Sequence, residues 1–191
     1  MRELIVFLAV FLTCDFAKAF PAESLDHKFQ LGINSSTLKV DTKSSSSTTS
    51  ASTSFNTIDL APTFIYFLNS QTSATVSYYK SITGKYLASG AIGSFRYYLN
   101  QGTKLTIKSD QKKIIVMPSW SPYLSFGYQL LTISDDNGSI DFDGFEVEAG
   151  IDYHINESFY TNLKFSSSQL TSGSTRTASH QVIGFAFGKI F

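Results

Sequence analysis

Glu146 and Glu148 stand two residues apart in the run Phe145-Glu146-Val147-Glu148-Ala149, where apolar and charged side chains alternate. On a β-strand such a pair projects from one face, roughly 7 Å apart. That separation suits the acid and base of an inverting glycosidase. Asp152 and His154 continue the same face, and Arg96 and Lys164 lie on the polar faces of two other alternating runs. A catalytic cleft needs an opening for its substrate; if these strands close into a small barrel, its interior is just wide enough to be filled by side chains. Charges in such an interior persist when they are paired. The expectation is therefore a structural interior network of Arg96, Glu146, Glu148, Asp152, His154 and Lys164.

Other reactive constellations are weaker. Ser179 and His180 are adjacent, so on a strand they point to opposite faces and cannot act as nucleophile and base. No catalytic site is expected, and no cofactor-binding motif is present. Asp135-Asp136-Asn137-Gly138 and Asp141-Phe142-Asp143-Gly144 form an acidic segment. Aligned on Gly144, an EF-hand loop would carry an acid at 139 and a glutamate at 150, but the chain has Ser139 and Gly150. A solvated turn is the default, with Asp135, Asp136, Asp141 and Asp143 as candidates for a loose divalent-cation site. The 15 basic and 15 acidic residues cancel, so nothing favours a nucleic-acid partner.

The elements that must position these groups begin with a leader. Arg2 precedes nine apolar residues, Leu4 to Leu12, and Ala17-Lys18-Ala19 has the small-x-small form of a cleavage site. Residues 1–19 are expected to be a secretory signal cut after Ala19, with residues 20–191 as one domain. The apolar run is too short for a membrane helix, which needs about 20 residues. Cys14, the single cysteine, falls inside this leader. Phe11-Leu12-Thr13 before it lack the small residue that a lipidated cysteine expects.

Beyond the leader the chain reads as strands. The 17 Phe and 10 Tyr, with abundant Thr and period-two alternation, are strand signals. Alternation marks segments around 28–34, 58–66, 75–78, 94–99, 120–130, 145–155, 159–165 and 180–191. Each approaches the 9–11 residues that a tilted strand needs to cross hydrocarbon. Turns at 69–72 and 156–158 are short, while 41–54, 83–89, 133–142 and 168–178 are expected as longer loops on the opposite side. The first of these contains the Ser/Thr-rich tract 42–54. Residues 101–118 look like a small hairpin. Counting it in the wall gives ten strands, and the shortness of its apolar pieces favours eight with an appendage.

The apolar stripes could face inward, as in a soluble lipocalin-like barrel, or outward, into lipid. Arg or Lys on a lipid face costs roughly 2–4 kcal/mol at the midplane, which places Arg96 and Lys164 inside. Tyr66, Trp120, Tyr128, Tyr153 and Phe191 fall near stripe ends, where aromatic girdles sit. Lys189 shares the outward stripe but lies close enough to its end to snorkel.

On this pattern, with the leader and the aromatic ending Phe187-Gly188-Lys189-Ile190-Phe191, the chain resembles the small eight-stranded outer-membrane β-barrels, a family that includes OmpX, Ail and the membrane domain of OmpA. The resemblance implies an all-β, antiparallel up-and-down transmembrane barrel in a Gram-negative outer membrane, both termini periplasmic. It implies insertion by the barrel-assembly machinery through a C-terminal signal at Phe187 and Phe191, and lipid and lipopolysaccharide as surroundings. A monomer is expected, with a structural or surface-interaction role through its outer loops and an extracellular ligand that the sequence does not name. A narrow channel for ions or small solutes is the alternative. Lipid A palmitoyltransferase and deacylase share the barrel and rest on a histidine and a serine, a pairing that Ser179-His180 does not supply.

Overall fold

A computed structural model describes residues 24–25, 27–43, 50–83, 86–103, 105–109, 112–135 and 138–191. The expected leader with its cleavage site at Ala19, and Asp136, lie outside the described residues. Among the described residues eleven strands occur: β1 (Ser24–Leu25), β2 (Lys28–Lys43), β3 (Ser50–Phe67), β4 (Thr72–Thr83), β5 (Leu87–Tyr98), β6 (Leu105–Ser109), β7 (Lys112–Val116), β8 (Trp120–Asp135), β9 (Gly138–His154), β10 (Phe159–Ser172) and β11 (Arg176–Ile190). Eight of them, in the order β10-β11-β2-β3-β4-β5-β8-β9, form a closed barrel. Every neighbouring pair is antiparallel, and β11 closes on β2 from Arg176↔Thr42 to Ile190↔Lys28. The count is eight rather than ten because β6 and β7 pair with each other and with β1 in a separate three-stranded sheet.

Along each wall strand the two faces separate by polarity. Phe29, Leu31 and Ile33 of β2 point outward, as do Leu124, Phe126, Tyr128 and Leu130 of β8, Phe145 and Val147 of β9, and Ile183, Phe185 and Phe187 of β11. These large apolar side chains are 39–61% exposed. Their inward neighbours are Lys28, Gln30 and Asn34, Ser125 and Gln129, and Glu146 and Glu148. A lipocalin-like barrel would show the reverse arrangement, apolar inside and polar outside. An outward apolar band with backbone groups paired around a closed ring is what hydrocarbon demands.

The pattern then inverts within the same strands. Past Ile33, the outward positions of β2 are Ser35, Thr37, Lys39 and Asp41, while Leu38 turns inward and is buried. Past Leu130, β8 shows Thr132 outward and Leu131 and Ile133 inward. On the far side of Phe145, β9 carries Asp143 and Asp141 outward and Phe142 inward. Leu170 of β10 and Ala178 of β11 do the same. Together with Ala88 and Ile92 these residues form an apolar cluster inside the barrel, joined by Val40, Phe55, Tyr86 and Ile140. The end remote from the termini is therefore built like a soluble barrel, and the middle like a membrane one.

This inversion corrects the expected loop lengths. The segments expected as long loops are mostly strand, and the wall strands run 12–18 residues. Inward residues such as Leu38 and Phe142 give those extensions a core of their own, which reading only the outward stripe overlooks. On the termini's side the tight turns share one device. Asn69 Oδ1 accepts from the amides of Gln71 (2.9 Å) and Thr72 (2.8 Å). Asn156 Oδ1 accepts from those of Ser158 (2.8 Å) and Phe159 (3.0 Å). At the far end Gly173 closes the β10–β11 turn at φ 62°, a conformation open to glycine.

The band position is testable. Leu124→Arg, in the apolar band, is expected to lower unfolding stability in lipid bilayers by about 2–4 kcal/mol, and Thr132→Arg, on the extension, by about 0–1 kcal/mol. Reversible urea unfolding followed by Trp120 fluorescence reads both, and equal losses would remove the assigned boundary.

Candidate functional site

The inward faces of β2, β5, β8, β9 and β10 converge on one chain of charges. Lys28 Nζ donates to Asp152 Oδ2 at 2.7 Å and lies 2.9 Å from His154 Nε2. It also sits over the Tyr160 ring, 4.4 Å from its centroid, with Tyr98 and Phe67 at 5.5 and 5.6 Å. Tyr98 donates its hydroxyl to Asp152 Oδ2 at 3.1 Å and receives Arg96 NH1 at 3.3 Å. Arg96 NH2 continues to Glu148 Oε1 at 2.8 Å, and Lys164 Nζ meets Glu148 Oε2 at 2.8 Å. Asn162 Nδ2 ties in Asp152 Oδ1 (2.8 Å) and Tyr123 Oη (2.9 Å). Arg96, Lys28 and Asp152 are essentially inaccessible to solvent.

Close packing leaves these groups little latitude. The Arg96 guanidinium stacks 3.8 Å above the Tyr123 ring, a cation–π contact strengthened by desolvation. Tyr123 in turn lies across Gly150, where a Cβ would stand 2.4 Å from its hydroxyl oxygen. Gly188 accommodates Tyr160 in the same way. Inward glycines thus make room for rings that carry the polar contacts.

Arg96, Glu148, Asp152, His154 and Lys164 are brought together by their register. Glu146 is buried on the same face but forms no ion pair among the described residues, because Glu148 takes both Arg96 and Lys164. Lys28 was not singled out from the sequence. It precedes the β2 apolar stripe, and its place on that strand's polar face is the signal that could have found it. Asp59 is a second omission. Its carboxylate accepts from Thr57 (2.8 Å), Ser81 (2.7 Å) and Ser36 rather than meeting a cation.

The acidic candidates do not converge. Asp135 Oδ1 accepts from the Gly138 amide at 3.1 Å, Asp141 from Thr132 Oγ1 at 2.7 Å, and Asp143 from the Tyr128 hydroxyl. They are strung along the exposed β8–β9 hairpin, and no metal-binding group of His, Cys, Asp or Glu forms among the described residues. His180 points inward and Ser179 does not, in keeping with their adjacency. Its register partner on β10 is Ser168, which in turn opposes Glu146 on β9. The three groups of a hydrolytic triad therefore share one row, a relation invisible in the linear sequence. That row lies on the inward face next to the apolar cluster, and Gln129 Nε2 occupies His180 Nδ1 at 2.8 Å. At the termini's end Phe187 stacks on Phe159 (5.6 Å), and the Phe191 amide donates to the His27 carbonyl at 2.9 Å. Lys189 Nζ rests 5.1 Å from the Phe191 ring.

A closed eight-stranded barrel with an apolar outer band and a charged interior has the architecture of a transmembrane β-barrel. Solved structures of that class resemble this chain. OprG of Pseudomonas aeruginosa aligns at TM-score 0.59 and 14% identity, covering 88% of this chain and 97% of that one. Neisserial surface protein A aligns at 0.56 and 12%, covering 90% and 100%. The outer-membrane protease OmpT of Escherichia coli aligns at 0.54 and 7%, covering 91% and 99%. At these identities what is shared is the fold. No family model matches the chain, and no curated protein matches it.

Glu148→Gln leaves Arg96 and Lys164 without their common carboxylate and is expected to cost about 3–5 kcal/mol in urea unfolding. Adding Lys164→Met to Glu148→Gln should recover part of that loss; a double variant no more stable than Glu148→Gln alone would show that the pairing is not what matters.

Proposed function

We propose that the chain is an outer-membrane protein that acts through its strand extension at the cell surface and not through its lumen. The carrying observation is the apolar cluster of Leu38, Ile92, Leu131, Ile133, Phe142 and Leu170 across the far end of the interior. Hydrophobic constrictions exclude water and ions, and below this one the Lys28–Asp152–Arg96–Glu148–Lys164 chain fills the bore. A closed interior supports a role without turnover or conduction.

The extension also offers a docking edge. The β3–β4 ladder begins at Ile58↔Thr83, whereas β3 pairs with β2 back to Ser50↔Lys43. Residues 50–57 of β3 thus have a ladder on one side only among the described residues. They carry no charge and no proline, the usual guards of an exposed edge. An extended polypeptide adding a strand here is the interaction this supports.

In this reading residues 1–19 direct export and Phe187 and Phe191 are recognised by the barrel-assembly machinery. Both termini lie in the periplasm, lipopolysaccharide surrounds the outer rim, and the protein works as a monomer. The acidic β8–β9 hairpin, with Asp135, Asp141 and Asp143 exposed, then stands outside the cell.

In planar bilayers the purified protein is expected to give no discrete conductance steps; regular steps would favour a narrow channel. Cells displaying Ser52→Lys/Ser54→Lys are expected to adhere to immobilised extended polypeptides about tenfold less than wild type, the effect of roughly 1.4 kcal/mol. Undiminished adhesion would remove the β3 edge as the binding element.

A further inference from the structure

Buried charge in the described interior does not balance. The cations are Lys28, Arg96 and Lys164, and the carboxylates are Asp59, Glu146, Glu148 and Asp152. Asp152 is matched by Lys28, and Glu148 by both Arg96 and Lys164. Asp59 is held by three hydroxyls. Among the described residues Glu146, 3% exposed, has neither an ion pair nor a hydrogen-bond partner for Oε1. A carboxylate so placed must be neutralised or coordinated.

Its surroundings are rich in buried oxygen. Ser168 stands directly opposite Glu146 in the β9–β10 ladder, and Ser166 lies two residues along the same inward face. Both hydroxyls are 1% exposed; Ser166 faces the Glu146 carboxylate, and Ser168 has no hydrogen-bond partner among the described residues. Gln129 is fully buried on β8, whose Gly127 opposes Glu146. Its amide nitrogen is committed to Tyr79 Oη (2.5 Å) and His180 Nδ1 (2.8 Å), which leaves Oε1 as an unpartnered acceptor. One carboxylate, one amide carbonyl and two hydroxyls make a hard, all-oxygen donor set. The His180 ring accepts at Nδ1, so it is neutral with Nε2–H as a donor and contributes no charge.

We propose that Glu146, Gln129, Ser166 and Ser168 bind a single monovalent alkali cation inside the barrel. The imbalance of one negative charge selects a monovalent ion, because a divalent one would leave an excess positive charge in the interior. The apolar cluster stands between the site and the far end, so the ion is taken up during folding and exchanges slowly.

The test is refolding of the full chain from urea into detergent in sodium chloride, rubidium chloride or tetramethylammonium chloride at equal ionic strength. Desalting and elemental analysis follow. Wild type is expected to retain about one sodium or rubidium per chain, and its heat-unfolding midpoint is expected to fall when it is refolded in tetramethylammonium. Glu146→Gln should retain none and lose the salt dependence, and Ser168→Ala, which keeps every charge, should retain less than wild type. Wild-type protein that retains neither ion would overturn the proposal, showing that a proton neutralises Glu146. Retention unchanged in Glu146→Gln would show an adventitious ion only.

Discussion

The seam where β11 pairs with β2 is the interaction on which everything else depends. Fifteen register pairs run along it, and without them two strands would present unpaired amides and carbonyls to hydrocarbon, each at a cost of several kcal/mol. Closure then dictates the chemistry of both faces. The outside must be apolar across the band, so alternation forces polar groups into a narrow bore. That bore is stable only if its charges are matched, and the matching comes from strands distant in sequence: Lys28 meets Asp152 across 124 positions. A network of this reach forms only once the ring has closed, which ties the order of the interior to the seam.

Much of this was readable in the chain. Outward stripes such as Phe29-x-Leu31-x-Ile33 and Trp120 to Leu130 located the wall strands, because period two is a strong local signal. The same alternation placed Arg96, Glu146, Glu148, Asp152 and Lys164 on inward faces. What could not be read was register. Nothing in the sequence says that Glu148 and not Glu146 receives Arg96 and Lys164, or that Ser168 opposes both Glu146 and His180, since those relations follow from ladders between strands. The extensions read as loops in the sequence for a different reason. Their outward residues, Asp41, Asp141 and Thr171, look like loop composition, and the inward Phe142 and Leu170 that hold them are too sparse to announce a strand.

The two halves of the bore follow opposite rules with one backbone. In the band a polar interior is tolerated where ion pairs and hydroxyl contacts satisfy it, as at Asp152, Glu148 and Asp59. In the extension an apolar interior is favoured because water lies outside, and burial of Leu131, Ile133 and Phe142 drives the packing. Tyr79, Gln129 and His180 sit at the junction. Tyr79 belongs to the apolar cluster, yet its hydroxyl accepts from the Gln129 amide. Amphipathic rings suit such a boundary, where one edge is dry and the other polar.

The inversion of polarity along the strands also works as a waterline. Sliding the barrel outward by two residues per strand would lift Leu130, Phe145 and Ile183 into water; sliding it inward would draw Asp143, Thr132 and Gln181 into lipid. Both displacements are penalised, so vertical position is held from two directions instead of by girdle residues alone. A barrel pinned in this way cannot follow a thickening bilayer by riding up or down, and the bilayer must deform to meet it. The protein thus imposes its own hydrophobic thickness on the lipid around it, and its preference among membranes is a preference for those that already match.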